Sequence, residues 1–223
     1  MSTKKKNNVN IVLVDDHPII REGIKQVVEK ADDLKVCGGA SDASEAMVLI
    51  NKHKPDIVIV DISLGGSING IDLVRSIRER FPEVYTLMLS MHEESLYAER
   101  AIRAGARGYI MKEVAPKNII DAIRTVLKGD LYISDILSKK IIDKLIHGSV
   151  DTDGLSIDTL TDREFEIFQL IGNGFSTKEI AKKLNLSIYT VESHRRNIRT
   201  KMKLNNSAEL TKHAIQWIIM QEK

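Results

Sequence analysis

The sequence predicts an α/β chain, in which a five-stranded doubly wound domain is followed by a second, smaller, all-α domain. Three observations carry this reading. Over roughly the first 130 residues, apolar runs of strand length alternate with amphipathic stretches of helix length, the pattern of repeated βα units around a parallel sheet. One run, Ile57-Val58-Ile59-Val60, is apolar throughout, as a parallel strand covered on both faces must be. From Thr159 onward the chain reads as helical to its end.

In chain order, the expected strands are Asn10–Val14, Leu34–Gly38, Asp56–Val60, Tyr85–Leu89 and Gly108–Ile110. Between and after them lie the helical stretches Ile19–Lys30, Ala43–Lys52, Ile71–Arg80, Glu94–Ala104 and Pro116–Leu127. Pro18 and Pro116 suit first-turn positions, and Gly105 and Gly129 suit helix ends. A further helix is expected over Ser138–His147, and the polar, glycine-containing stretch His147–Gly154 reads as an interdomain linker. The last four helices are expected at Asp162–Ile171, Thr177–Leu184, Ile188–Lys203 and Ser207–Met220. Thr161 with Glu164, and Ser176 with Glu179, have capping-box spacing. Met1–Asn8, with three consecutive lysines, is expected to be a disordered leader.

Composition agrees with two soluble domains. The 223 residues are 43% hydrophobic and 29% charged, enough for two modest cores. The single cysteine, Cys37, excludes an intrachain disulfide and fits a reducing cytosol. The first apolar run, Val9–Val14, is too short for a signal sequence, and nothing approaches the ~20 apolar residues of a membrane span. A cytoplasmic location is therefore expected. The net charge of +2 is unevenly spread. Residues 159–223 hold 11 Lys/Arg against 7 Asp/Glu, while the remainder holds 22 against 24. Arg195, Arg196, Arg199, Lys201 and Lys203 follow one another without an intervening acid. Such a run suits a polyanion, although charge alone favours a solvated helix face.

Ligands of open α/β sheets bind beyond the carboxyl ends of the strands. Asp15 and Asp16 follow the first expected strand, Asp61 the third, Ser90 the fourth, and Lys112 comes shortly after the fifth. Singly, each has a plain structural use. Asp16 or Ser90 could cap a helix, and Lys112 could be a surface charge. Asp61 is harder to dismiss, because it ends a fully apolar strand where an unpaired carboxylate is costly. Gathered at one rim, three carboxylates need a cation, and a hard divalent ion with oxygen ligands such as Mg²⁺ meets that need.

Val14-Asp15-Asp16-His17-Pro18, Asp61, Ser90 and Gly108-Tyr109-Ile110-Met111-Lys112 resemble the receiver domain of response regulators, over roughly residues 9–130. The resemblance implies a flavodoxin-like fold with Asp61 as phosphoacceptor. It implies Asp16, Asp61 and the Ser63 carbonyl as Mg²⁺ ligands, with Asp15 acting through water. Lys112 and Ser90 would contact the phosphoryl oxygens, and Ser90 with Tyr109 would form the switch; Tyr109 also fits a plain core position. One departure is visible. Such receivers usually continue from the acceptor with Pro-Gly and then Asn-Gly, whereas this chain has Leu64-Gly65-Gly66-Ser67-Ile68-Asn69-Gly70. That loop lacks proline and carries one residue more, so greater mobility is expected there.

Thr177–Leu184, a turn near Asn185–Ser187, and Ile188–Lys203 have helix-turn-helix proportions. Val191, Ile198 and Met202 are spaced for burial against Phe165, Phe168, Ile180 and Leu184, leaving Glu192, Arg195, Arg196 and Arg199 outward. Helix count alone would equally suit a small bundle that binds no nucleic acid. Leu160–Glu164, Ser176–Ala181 and Thr190–His194, with Asn197, Ile198 and Lys201, resemble the LuxR-type domain over roughly 159–220. A receiver followed by this module is similar to the NarL/FixJ regulators. The expected layout is a receiver at 9–130, a linker with helix at 131–158, and a DNA-binding domain at 159–223.

The resemblance implies that Glu192, Ser193 and Arg196 face base edges, and that Thr177, Lys178, Thr190, His194 and Arg195 contact phosphates. Arg199 belongs to the expected DNA-binding set without an assigned contact. The last helix, with Leu210, Ile215 and Trp217, would be the dimerisation element, although those apolar residues also suit the domain's own core. The implied function is a DNA-binding response regulator, phosphorylated on Asp61 by a sensor histidine kinase and acting as a homodimer on double-stranded DNA. A receiver answering to a partner protein instead of phosphate is the alternative. An aspartyl-phosphate enzyme is disfavoured, since such phosphatases resemble one another in a second Asp two residues after the nucleophile, where this chain has Ser63.

Overall fold

The computed structural model describes residues 8–65, 68–91, 94–139 and 157–221. The chain divides into two compact units, one built from 1–64 and 68–148 and the other holding 149–223.

In the first unit, five parallel strands form one sheet in the order β2-β1-β3-β4-β5. They are β1 (Val9–Val14), β2 (Leu34–Ala40), β3 (Ile57–Asp61), β4 (Tyr85–Ser90) and β5 (Gly108–Met111). The helices are α1 (Pro18–Val28), α2 (Ala43–His53), α3 (Gly70–Arg80), α4 (Glu94–Ala104) and α5 (Ala115–Leu127). β3 is buried at every position, as its unbroken apolar run requires. Side chains alternate across the strands. Ile11, Leu13, Ile59 and Leu89 join Ile24 and Val28 of α1 and Ile119, Ile123 and Val126 of α5 in one core.

β2 runs two residues beyond its expected end, because Gly39 and Ala40 pair with Leu13 and Val14 past a register shift at Ile11/Val12. Gly105 and Gly129 take positive φ at the ends of α4 and α5, as expected. Asp42 caps α2 by accepting from the N–H of Ser44 and Glu45. After α5 the chain returns to the sheet. Tyr109 N–H donates to the Tyr132 carbonyl (2.9 Å) and Tyr132 N–H to the Arg107 carbonyl (2.9 Å). Ser134 N–H then donates to the Glu94 carboxylate at 2.7 Å. Of the helix expected over Ser138–His147, only residues through 139 are described, within a helical stretch that starts at 135. The expected linker and all but Asn8 of the expected leader lie outside the described residues.

Among its described residues, the second unit contains a short 3₁₀ turn (Ile157–Thr159) and four helices: α6 (Asp162–Gly172), α7 (Thr177–Lys183), α8 (Ile188–Lys201) and α9 (Ser207–Gln221). Both expected capping boxes form, Thr161 with Glu164 and Ser176 with Glu179. α8 stops two residues short of its expected end because Lys203 turns into the left-handed region at φ 53°. Phe165, Phe168, Ile180, Leu184, Val191, Ile198 and Met202 are all buried, as their spacing predicted. Trp217 of α9 packs edge-on against Phe165 and Phe168, with ring centroids 5.4 and 6.1 Å away. Gly172 makes this approach possible, since a Cβ there would lie 2.6 Å from the Ala214 carbonyl oxygen. Among the described residues no helix is long and apolar enough to cross a membrane.

Candidate functional site

The strand order reverses between β1 and β3, and a crevice opens at the carboxyl ends of such neighbours. Asp15 and Asp16 leave β1 there, and Asp61 is the last residue of β3. Lys112 arrives from the end of β5, its N–H bonded to the Ser90 carbonyl at 2.7 Å. Its Nζ lies 2.7 Å from Asp15 Oδ2 and 2.7 Å from Asp61 Oδ2, and its side chain is 8% exposed. The surface-charge reading of Lys112 is thereby excluded.

Burial pushes the Asp61 carboxyl up to about 6, with Asp15 adding to the rise while Lys112 and the Ser63 N–H hold it down. Burial alone would lower Lys112, but Asp61 and Asp15 outweigh it and hold the ammonium above its ordinary value. Asp16 does not serve as a helix cap. His17 occupies the N-cap position of α1, and its N–H donates to Asp15 Oδ1 at 2.8 Å. Asp16 remains partly exposed at the rim. Ser90 is fully buried, and its side chain is hydrogen-bonded to that of Tyr109. Tyr109 points inward at 3% exposure. Burial raises its phenol, Ser90 opposes the rise, and Glu94 and Asp61 add to it.

Ligand atoms of Asp15, Asp16, His17 and Asp61 all lie within 4.8 Å of one another. The three carboxylates fit a hard divalent cation such as Mg²⁺. His17 belongs to the motif that follows β1 but was assigned no role there, and its Nδ1 lies 2.7 Å from Asp16 Oδ1 and 3.3 Å from Asp15 Oδ1. The Arg21 guanidinium donates to the Asp15 carbonyl. Only the pairing of neighbouring strands and helices reveals Arg21.

The unusual loop is pinned at its far end. Asn69 is buried and caps α3 by accepting from Asp72 N–H at 2.9 Å. Gly70 N–H donates to the Ile62 carbonyl at 2.9 Å. A Cβ on Gly70 would sit 1.9 Å from the Asp61 carbonyl oxygen, so only glycine fits behind Asp61. The Asn-Gly pair in the sequence was the available signal.

In the second unit, α8 presents Glu192, Ser193 and Arg196 to solvent. Thr177 Oγ1 donates to Glu192 Oε1 at 2.8 Å, tying α7 to α8 across the turn. Ser187 caps α8 by accepting from Thr190 N–H at 3.0 Å. Lys178 and Arg196 are exposed, whereas Arg195, Arg199 and His194 are partly covered. The fully outward placement expected of Arg195 and Arg199 is therefore corrected. Both lie within roughly 80° of Val191 around the helix, closer to its buried side than to the outward stripe.

Lys201 also departs from the basic run. It donates to Glu164 Oε2 at 2.6 Å, bracing α8 against the start of α6. Burial would raise Glu164, but hydrogen bonds from Lys201 and Thr161 outweigh it and hold the carboxyl below its ordinary value. Burial lowers His194, as do Arg163 and Lys201, with Glu164 opposing, so a charged imidazole is disfavoured. On α9, Leu210 is buried while Ile215, Ile219 and Met220 remain exposed. The apolar residues of the last helix thus divide between core and surface.

The first unit matches the response regulator receiver domain family over residues 11–124. The second matches the family of bacterial regulatory proteins of the luxR type over 158–214. The oxygen regulatory proteins NreC of Staphylococcus haemolyticus and Staphylococcus carnosus are each 34% identical over 211 residues, covering 93% of this chain and 97% of theirs. RcsB from Salmonella enterica serovar Typhimurium, solved bound to a promoter in the presence of the phosphomimetic BeF₃⁻, is 27% identical with a TM-score of 0.60, covering 93% of this chain and 98% of RcsB. A LuxR-family two-component response regulator from Aurantimonas is 36% identical with a TM-score of 0.57, covering 62% of this chain and 99% of that one.

Proposed function

This chain belongs to the two-component response regulators, a receiver domain joined to a LuxR-type regulatory domain, and from that premise we propose that phosphorylation of Asp61 controls binding of double-stranded DNA by α8. The observation that carries the proposal is the convergence of Asp15, Asp61 and Lys112 within 2.7 Å contacts at the switch point of the sheet.

In the proposed step, a carboxylate oxygen of Asp61 attacks phosphorus, an O–P bond forms, and the bond to the donor breaks. The donor is the phosphohistidine of a sensor kinase, whose imidazole leaves. Phosphoryl transfer needs positioning and charge compensation more than covalent help. Lys112 holds the Asp61 carboxylate in place and faces the incoming oxygens. Asp15, Asp16, Asp61 and the Ser63 carbonyl would hold Mg²⁺, which when bound supplies positive charge against the phosphoryl oxygens.

The acyl phosphate adds about −1.5 to −2 charge beside Ser90. Ser90 can bond to it or to Tyr109, so its hydroxyl links the acceptor to β5. Tyr109 N–H is bonded to Tyr132, and Ser134 to Glu94 of α4. A change in Ser90 and Tyr109 therefore reaches the chain that leaves the receiver. At the other end, Arg196 suits guanine and Glu192 suits cytosine, while Thr177, Lys178 and Thr190 suit phosphates. The regulator acts as a homodimer on two half-sites, with the exposed apolar residues of α9 available to a second copy.

The decisive experiment titrates DNA with full-length protein, with and without BeF₃⁻ and Mg²⁺. Wild type is expected to change affinity at least tenfold, Asp61→Asn not at all, and Ser90→Ala to load the mimic yet respond weakly. Equal affinities for loaded and unloaded wild type would sink the proposal.

A further inference from the structure

Tyr189 is the most exposed of the large hydrophobic side chains among the described residues, at 88%. Single exposed apolar residues are ordinary, so its position has to carry the argument. It is the second residue of α8. The side of α8 that faces the unit's core is set by the buried Val191 and Ile198. Residues three, four and seven positions apart share a helix face, which places Tyr189, Glu192, Ser193 and Arg196 in one stripe opposite that core side. The N-terminal residues of a recognition helix reach furthest toward base edges. Ser187 capping fixes the first turn, and the Thr177 contact fixes Glu192 one turn later. An aromatic ring thus opens a stripe whose other three members are polar.

We infer that Tyr189 is a specificity-determining residue of the DNA interface, reading a thymine in each half-site by apolar contact of its ring with the C5 methyl group. The chemistry follows from the groove. Every other feature that base pairs present in the major groove is a hydrogen-bond donor or acceptor, and the thymine methyl alone rewards an apolar surface. Glu192 and Arg196 supply charged partners for cytosine and guanine, and nothing else in the stripe is apolar. The inference rests on the DNA-binding reading above and adds to it the base class read at the start of the helix.

Full-length protein with BeF₃⁻ and Mg²⁺ is used to select duplexes from a random library, and thymidines in the enriched site are replaced one at a time by deoxyuridine. At one thymidine per half-site, this loss of a methyl should weaken wild-type binding about three- to tenfold. Tyr189→Ala should bind more weakly and show a thymidine-to-deoxyuridine ratio near one at that position, while Tyr189→Phe keeps the wild-type ratio. If Tyr189→Ala retains the ratio, or no thymidine responds, the inference is overturned. A Phe variant as weak as the Ala variant, with the methyl dependence unchanged in both, would assign Tyr189 to phosphate instead and also overturn it. Enrichment of a site that Arg196→Ala reads less strictly confirms the broader DNA reading independently, whereas no enrichment at all removes both.

Discussion

The rim of the receiver and the outward face of α8 both gather charged residues, but they hold them in opposite ways. At the rim, Asp15 and Asp61 are 3% and 2% exposed and share one ammonium. On α8, Glu192 and Arg196 stand in solvent, and only side contacts such as Thr177 to Glu192 steady them. Buried charges interact strongly and cannot be removed singly without leaving an orphan. Exposed charges are screened by salt and contribute in small increments. The first arrangement suits a chemical event that is either present or absent, the second a graded grip on a polyanion.

The comparison can be broken most directly at Asp61. Asp61→Asn is expected to abolish phosphoryl incorporation, read by phosphate-affinity gel mobility after incubation with a small acyl-phosphate donor, while Arg196→Ala labels at the wild-type rate. Gly70→Ala is next in size. Its Cβ would lie 1.9 Å from the Asp61 carbonyl oxygen, so the loop must shift, and urea titration should show a loss of about 3 kcal/mol together with slower labelling.

The two regions should also differ in the sign of their pH response. The folded-state value of Asp61 lies above its ordinary 3.8, at about 6, so the folded protein holds that proton more tightly than the unfolded chain. Its stabilisation is complete below pH about 4 and is lost as pH rises through about 6, a change of about 3 kcal/mol. Glu164 in the second unit is shifted down. Its stabilisation is present above its ordinary 4.5 and is lost as pH falls through the lower folded-state value. Metal-free protein titrated with urea from pH 3 to 8 tests this. Asp61→Asn should flatten the slope between pH 4 and 6, and Glu164→Gln the slope below 4.5. Like slopes for the two regions would break the comparison.

The smallest effects sharpen the account of α8. Arg196→Ala should cost about 1–3 kcal/mol at matched sites and less at variants of one base pair. Lys178→Ala should weaken all sites alike and lower the salt slope by about one. Identical effects of the two variants across a panel of sites would overturn the division between base and phosphate contacts.

Much of this molecule is legible in one dimension, because strand burial and helix amphipathy impose their own periods. The apolar run before Asp61 reads as a covered parallel strand and forms one, and the five βα units and both capping boxes form where the pattern places them. The motif residues lie at the strand ends, and the strand order that brings Asp15 and Asp61 together is what the resemblance to receiver domains implies, since right-handed crossovers narrow the order without fixing it. What sequence could not supply is the partner of each charge. Lys201 belongs to a basic run by spacing, yet it pairs with Glu164 on another helix. Arg195 and Arg199 look outward by composition, yet they are partly covered. His17, Arg21 and Gly70 gain their roles only when β1, α1 and the loop before α3 are brought together. The physical reason is range. Periodicity and capping act over a few residues and are written locally, whereas ion pairing, burial and close backbone approach depend on segments that only the folded chain makes neighbours.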